Sequence, residues 1–95
     1  MPLTRSVTFK AVLQKGNRVQ IPKQIRWLHK MEPQQILKAA VRPAKPLAIE
    51  EEFYTHMNKD GRIVIPKLTL TLIQDRYGSL IGRVLQIDLE PAQGP

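Results

Sequence analysis

The chain of 95 residues has no cysteine, only five Phe, Trp and Tyr residues in total, and no long apolar run. Without cysteine it can form neither a disulfide framework nor a thiolate metal site. No segment approaches the roughly 18 apolar residues that a membrane span requires, and the N-terminus lacks an apolar stretch. We therefore expect one small domain, residues 1–95, in the cytoplasm.

The common motifs of catalysis and phosphate binding are also missing. The sequence contains no G-x-x-x-x-G-K, G-x-G-x-x-G or G-x-S-x-G, and its serines, Ser6 and Ser79, have no nucleophile-like context. His29 and His56 are the only histidines, and surface positions suit them better than a metal site, which needs more ligands. We expect a non-enzymatic protein with no cofactor and no bound metal.

What the chain does contain is an internal repeat. Residues 15–23 return 44 positions later as residues 59–67, with five of nine residues identical. A second match lies at an offset of 48, between residues 36–44 and 84–92. Each copy alone is too small for a stable core, so the copies are expected to share one. The repeats are assigned to residues 7–43 and 53–91, with a linker at 44–52.

Each copy has the pattern strand, loop, strand, short helix, strand. Alternating side chains over residues 7–13 and 53–57 predict the first strand, and the glycine-containing loop that follows predicts a hairpin. Proline then ends the second strand and suits the start of a helix. In the first copy Ile25 and Leu28 lie three apart, which places them on one helix face, and Pro33 ends the helix.

The helix of the second copy has an alternative. Leu68 and Leu72 lie four apart, and Gly78 is a suitable C-terminal cap, which favours a helix. Residues 68–72 also alternate between leucine and threonine, which is typical of a strand. Both interpretations stay open at this stage.

Two such units give a mostly β fold with six strands and two short helices. A closed six-stranded barrel removes exposed strand edges and lets the copies share one core, so we expect that architecture. The predicted core consists of Phe9, Leu13, Ile21, Leu37, Phe53, Met57, Ile65, Leu85 and Ile87.

Charge is unevenly distributed along the chain. The net charge is +7, but residues 1–47 hold ten Lys or Arg against one Glu, whereas residues 48–95 hold five against seven acidic residues. A polyanion is therefore expected to contact mainly the first copy.

The combination of a first strand, a K-G-x-R or K-x-G-R loop, an apolar-x-I-P-K segment and a short helix resembles the AbrB, SpoVT and MazE family of swapped-hairpin barrels. In that family two chains interlock, whereas here both units lie in one chain. The chain is therefore also similar to small archaeal tandem proteins of the related cradle-loop group, with RIFT-type barrels. The resemblance implies a monomeric barrel and DNA binding.

The same resemblance implies the site residues. The family's loop arginine corresponds to Arg18 and Arg62, and its helix arginine corresponds to Arg26, whose counterpart in the second copy is Leu70. The predicted nucleic-acid-binding residues are Lys10, Lys15, Arg18, Lys23, Arg26, Lys30, Lys59 and Arg62.

Several of these residues have a structural alternative. Arg18 and Arg62 can clamp phosphates, or equally can pair with a carboxylate or a carbonyl within the fold. Trp27 can stack on a base, but a lone tryptophan on a short helix more often packs against the body of the protein, and we expect that for Trp27.

The leading hypothesis is a DNA-binding regulator or chromatin-like factor that contacts the phosphate backbone of double-stranded DNA. One alternative is a small-ligand or nucleotide-binding barrel related to RIFT-barrel enzymes. Another is an antitoxin-like protein-interaction module.

Overall fold

The structure is a computed structural model, and it describes Leu3, residues 5–43 and residues 50–92. Strand, strand, helix, strand occurs twice along the described chain. The elements are β1 Val7–Val12, β2 Arg18–Gln20, α1 Lys23–Leu28, β3 Leu37–Pro43, β4 Glu51–Thr55, β5 Arg62–Val64, α2 Lys67–Tyr77 and β6 Val84–Pro91.

The strands form two antiparallel sheets. The larger sheet has four strands in the order β1-β6-β3-β4, and the smaller sheet is the pair β2-β5. Every one of these pairs joins a strand of residues 7–43 to a strand of residues 51–91. Neither half of the chain therefore forms a sheet without the other.

The expectation of a closed six-stranded barrel is wrong. Among the described residues, the four-stranded sheet ends at β1 and β4, and β2 and β5 pair only with each other. Each of these two strands is three residues long, because a loop precedes it and a proline, Pro22 or Pro66, follows two residues after it. Proline cannot donate to a ladder, so neither strand continues past Pro22 or Pro66.

The predicted hairpins are also wrong, because the two strands that flank each loop do not form a ladder with each other. β1 and β2 share only an isolated bridge between Gln14 and Arg18, and β1 forms its ladder with β6. The loops themselves are tight turns. The Gln14 amide donates to the Arg18 carbonyl at 2.8 Å, and the Asn58 amide donates to the Arg62 carbonyl at 2.7 Å.

The predicted core is confirmed, since all nine of its residues are buried. Alternation along β3 and β6 also buries Ala39, Val41 and Leu89. Val19 and Ile63 fill the inner side of the small sheet.

Helix α2 confirms the helical interpretation of residues 67–77, and Gly78 follows it with a φ of 80°. Leu68 and Leu72, whose spacing indicated the helix, are exposed, while Leu70 and Ile73 are buried. A pair of leucines four apart is compatible with either face of a helix, and the alternating Leu-Thr segment gave no further signal.

Helix α1 ends at Leu28, five residues before Pro33. Ile25 packs against the core, but Leu28 is 78% exposed. The helix is six residues long, so only one of its residues meets the core.

The predicted linker overlaps the sheet. Residues 44–49 lie outside the described chain, but Glu51 and Glu52 belong to β4. Glu52 lies opposite Ala40 and forms an ion pair with Lys38. Within the described residues, no helix has the length and apolarity needed to cross a membrane.

Candidate nucleic-acid interface

The outer side of the β2-β5 pair is a small surface of three polar side chains and one apolar side chain. Arg18 lies opposite Val64, and Gln20 lies opposite Arg62, so the two arginines occupy diagonal corners of one face. We call these four residues the ribbon face. Gln20 was not among the predicted site residues, although its position between the apolar Val19 and Ile21 would have indicated an outward side chain.

At one corner of the ribbon face, helix α1 meets the loop of the other half. The Ile21 amide donates to the Gly61 carbonyl at 2.9 Å, and the Gln20 side-chain amide donates to the Asp60 carbonyl at 3.1 Å. We call residues 23–30 together with residues 58–62 the α1 end. It contains five of the eight predicted site residues: Lys23, Arg26, Lys30, Lys59 and Arg62.

The opposite corner has the complementary arrangement. The Ile65 amide donates to the Asn17 carbonyl at 2.7 Å, so the first loop lies beside the start of α2. We call residues 14–18 together with residues 67–79 the α2 end. It contains the predicted residues Lys15 and Arg18, both exposed. The loop of each half thus lies against the helix of the other half.

Arg26 is held by the fold more than the sequence suggested. Its Nε donates to the Ile21 carbonyl at 3.1 Å, and its guanidinium covers Gly61. A Cβ added at Gly61 would lie 2.5 Å from the nearest guanidinium nitrogen. The side chain of Arg26 therefore joins the first helix to the second loop, and only part of it faces solvent.

The two loop arginines differ. Arg62 forms an ion pair with Asp60 at 3.0 Å, and its Nε is buried without a hydrogen-bond partner. Arg18 is exposed, lies over Gly16, and has no ion pair among the described residues. The reason is one substitution between the copies: the position of Asp60 in the second loop is occupied by Gly16 in the first.

Lys10 lies apart from the other predicted residues. It is on β1 of the large sheet, opposite Gln86 of β6. The structure therefore places seven of the eight predicted residues at the α1 end or the α2 end and leaves Lys10 on the large sheet.

The outer side of the large sheet is charge-balanced. Lys38 pairs with Glu52 at 3.5 Å, and Arg42 pairs with Glu50 at 3.3 Å and with Asp88 at 3.9 Å. Each pair joins a basic residue of the first half to an acidic residue of the second. Because every strand pair crosses between the halves, the charge difference along the sequence is largely cancelled on this surface.

Trp27 does not pack against the body of the protein, so that expectation is wrong. Its side chain is 69% exposed on α1, and the Lys23 ammonium lies 4.4 Å from the centre of its ring. These two residues are four apart, on one face of the helix.

A depression of about 480 Å³ at the α2 end is lined by polar residues, with Ile81 as its only large apolar side chain. Small-molecule sites are mostly apolar, so this depression is unlike a typical one. In the described part of the chain, no three His, Asp or Glu side chains come together in a group able to hold a metal ion.

Comparison with known proteins gives the fold. No protein-family model matches the chain, and no curated protein sequence matches it. A solved structure does: the solution structure of PHS018 from Pyrococcus horikoshii has a TM-score of 0.72 and 20% sequence identity. The match covers 100% of this chain and 98% of that one, so the two proteins are similar in fold over their whole length. The likeness to AbrB-type proteins stays a prediction from the motif.

Proposed function

We propose that the protein binds nucleic acid, with double-stranded DNA as the expected partner, through phosphate contacts made by the ribbon face and its two flanking loops. The observation that carries the proposal is the gathering of cationic side chains there. Arg18 and Arg62 share the ribbon face, and Lys15 and Lys59 lie in the loops at its two corners. Lysine and arginine at this density neutralise phosphates and release counterions.

The shape of the surface supports the same function. A two-stranded antiparallel ribbon is one of the elements that enters the major groove of DNA. The ribbon face projects two guanidinium groups and the Gln20 amide, all of which hydrogen-bond to phosphate or base edges. With strands of three residues, phosphate contacts are expected to outnumber base contacts, which suits a regulator or chromatin-like factor of low sequence selectivity.

Both halves of the chain supply the interface. The first half was expected to dominate because of its charge, but Arg18 and Arg62 come from different halves and occupy one face. The basic residues of β3, Lys38 and Arg42, add to the positive charge of the first half, but they form ion pairs with acidic residues in the large sheet.

The test is fluorescence anisotropy with a labelled duplex over a series of salt concentrations. Phosphate contact predicts a steep linear fall of log affinity with log salt, and Arg18→Ala is expected to reduce the slope by about one. Lys10→Ala is the matched control, because it removes the same charge from a surface away from the ribbon face. A flat salt response, absence of binding at low salt, or an equal effect of both variants contradicts the proposal.

A further inference from the structure

Resting on the proposed function, we propose that Trp27 stacks on an unpaired base, so that the protein binds nucleic acid with exposed bases more tightly than a fully paired duplex. Trp27 is the only tryptophan of the chain, and it is exposed at the α1 end. The exposed indole beside Lys23 is available for stacking, whereas the rings of Phe9 and Phe53 are buried in the core.

The backbone holds Trp27 in place. The Lys30 amide donates to the Trp27 carbonyl at 3.2 Å, and the Met31 amide donates to the Arg26 carbonyl at 3.0 Å. These two bonds form a Schellman motif, which fixes the last turn of the helix. Arg26 is itself held against Gly61, so the turn from which the indole projects is fixed on the second loop.

The charges around the indole suit a nucleotide. Lys23 lies over the ring, Lys30 follows the helix, and Lys59 lies in the adjoining loop. An aromatic ring flanked by cations can stack on a base while the cations contact the neighbouring phosphates. Lys23 is well placed for this, since its ammonium can leave the ring face and meet a phosphate when a base takes its place.

Stacking requires a base whose face is free. Inside a duplex both faces of each base are covered by the neighbouring base pairs, so the indole can stack only at an end, a loop, a flap or a single-stranded segment. The proposed contacts of the ribbon face do not depend on base pairing, because phosphates are exposed in both a single strand and a duplex. The α1 end thus adds a preference for unpaired nucleotides to a surface that also accepts a duplex.

The local structure favours a nucleotide over a lipid surface or an acidic protein. Interfacial helices bury a long apolar face in the membrane, whereas α1 has six residues, of which Trp27 and Leu28 are its exposed apolar side chains. An acidic protein could contact the same cations. A surface that binds an acidic protein would, however, show no preference between single-stranded and double-stranded nucleic acid.

The test uses Trp27 as its own reporter. An oligothymidine and a blunt duplex, matched in number of phosphates, are titrated into the whole protein at fixed salt while tryptophan emission is followed. We expect strong quenching by the single strand and little by the duplex, which exposes a free base face only at its two ends, with about tenfold tighter binding of the single strand. Trp27→Ala is expected to remove that tenfold preference in anisotropy while leaving the affinity for duplex unchanged, and Trp27→Phe is expected to retain part of it.

Tyr54→Ala is the matched control, since Tyr54 is an exposed aromatic residue on β4 of the large sheet. It should leave both affinities unchanged. Absence of quenching by the single strand, equal effects of Trp27→Ala on both ligands, or an equal effect of Tyr54→Ala overturns the inference. If salt-sensitive duplex binding survives in any of these cases, the proposed function stands and only the role of Trp27 falls. If neither ligand binds at low salt, both fall.

Discussion

The α1 end and the α2 end are built from the same loop and helix pattern, yet they hold it differently. At the α1 end Arg26 covers Gly61, and Asp60 pairs with Arg62. At the α2 end the position of Arg26 is taken by the buried Leu70, and Arg18 has no ion pair among the described residues. At the α1 end the arginines Arg26 and Arg62 therefore contact other parts of the fold, whereas at the α2 end Arg18 can bind a new partner without losing an ion pair within the described chain.

This difference matters for function because cations that already have partners contribute less to binding a new anion. Arg62 must give up or share Asp60 before it meets a phosphate, whereas Arg18 is available at once. Trp27, by contrast, belongs to the α1 end, and Thr71 occupies its position at the α2 end. Arg18 is therefore assigned mainly to phosphate contact, and Trp27 to base contact.

The largest effect is expected from truncating the helix residue that differs between the ends. Leu70→Ala removes a buried side chain and should lower the free energy of unfolding by about 2–5 kcal/mol. Arg26→Ala removes one hydrogen bond and the cover of Gly61, and should lower it by about 1–2 kcal/mol. Urea denaturation followed by circular dichroism measures both. Equal losses would show that the two helices dock in the same way.

The next effect concerns the loop glycines, which both have positive φ, 84° at Gly16 and 83° at Gly61. Alanine at either position should lower the free energy of unfolding by about 1–2 kcal/mol, because it has to adopt the left-handed conformation. Gly61→Ala should lose roughly 1 kcal/mol more, because its Cβ also displaces the Arg26 guanidinium.

A double-mutant cycle checks the cause of that extra loss. In the Arg26→Ala background, Gly61→Ala should cost no more than Gly16→Ala, since the guanidinium is gone. An undiminished difference between the two glycines would mean that Arg26 is not what occupies the space above Gly61.

The third prediction separates the loop arginines in binding. Arg18→Ala should weaken duplex binding roughly fivefold with no measurable loss of stability, because its side chain is exposed and unpaired within the described chain. Arg62→Ala should weaken binding about twofold and should also alter stability, since it leaves Asp60 without its partner. Anisotropy and thermal unfolding of the two variants give the comparison. The reverse order of affinities would contradict the assignment of Arg18.

A smaller effect is expected from making the loops alike. Asp60→Asn removes the carboxylate and releases Arg62, so duplex binding should tighten by about twofold to threefold at low salt and less at high salt. Asp88→Asn is the matched control, because it removes the same charge from the large sheet. Equal tightening by both variants would point to net charge rather than to the ribbon face.

The smallest effect concerns Lys30, which has a φ of 49° at the end of α1. Lys30→Gly removes the strain of the left-handed conformation but adds conformational entropy to the unfolded chain. The free energy of unfolding should therefore fall by no more than about 1 kcal/mol, or rise. Nucleic-acid binding should nevertheless weaken about twofold, because one cation beside Trp27 is lost. A matched loss of stability and affinity would make the role of Lys30 purely structural.

The strands and the core could be predicted from local pattern, because side-chain alternation reports directly which residues face inward. Phe9, Leu37 and Ile87 belong to runs of that kind, and all are buried. Strand partners could not be predicted in the same way. Alternation does not say that β2 pairs with β5 rather than with β1, and the closed barrel was wrong for that reason.

The site was harder to predict because its contacts join distant parts of the sequence. The cover of Gly61 by Arg26 connects the helix of one half to the loop of the other, and no spacing rule indicates it. The charge of the first half was a poor guide to the surface of the large sheet for the same reason, since Lys38 and Arg42 find their acidic partners across that sheet. Trp27 was expected to pack, but a helix of six residues has too little inward surface to bury it.

The most direct test of the account is to map nucleic-acid contacts on the protein by two-dimensional NMR, with a duplex titrated into the isotope-labelled chain. The account predicts that amide shifts concentrate at residues 15–23 and 59–64, around the ribbon face, while the outer side of the large sheet near Lys38 and Glu52 is unaffected. Shifts that cluster on the large sheet, or that spread evenly over the protein, would contradict it.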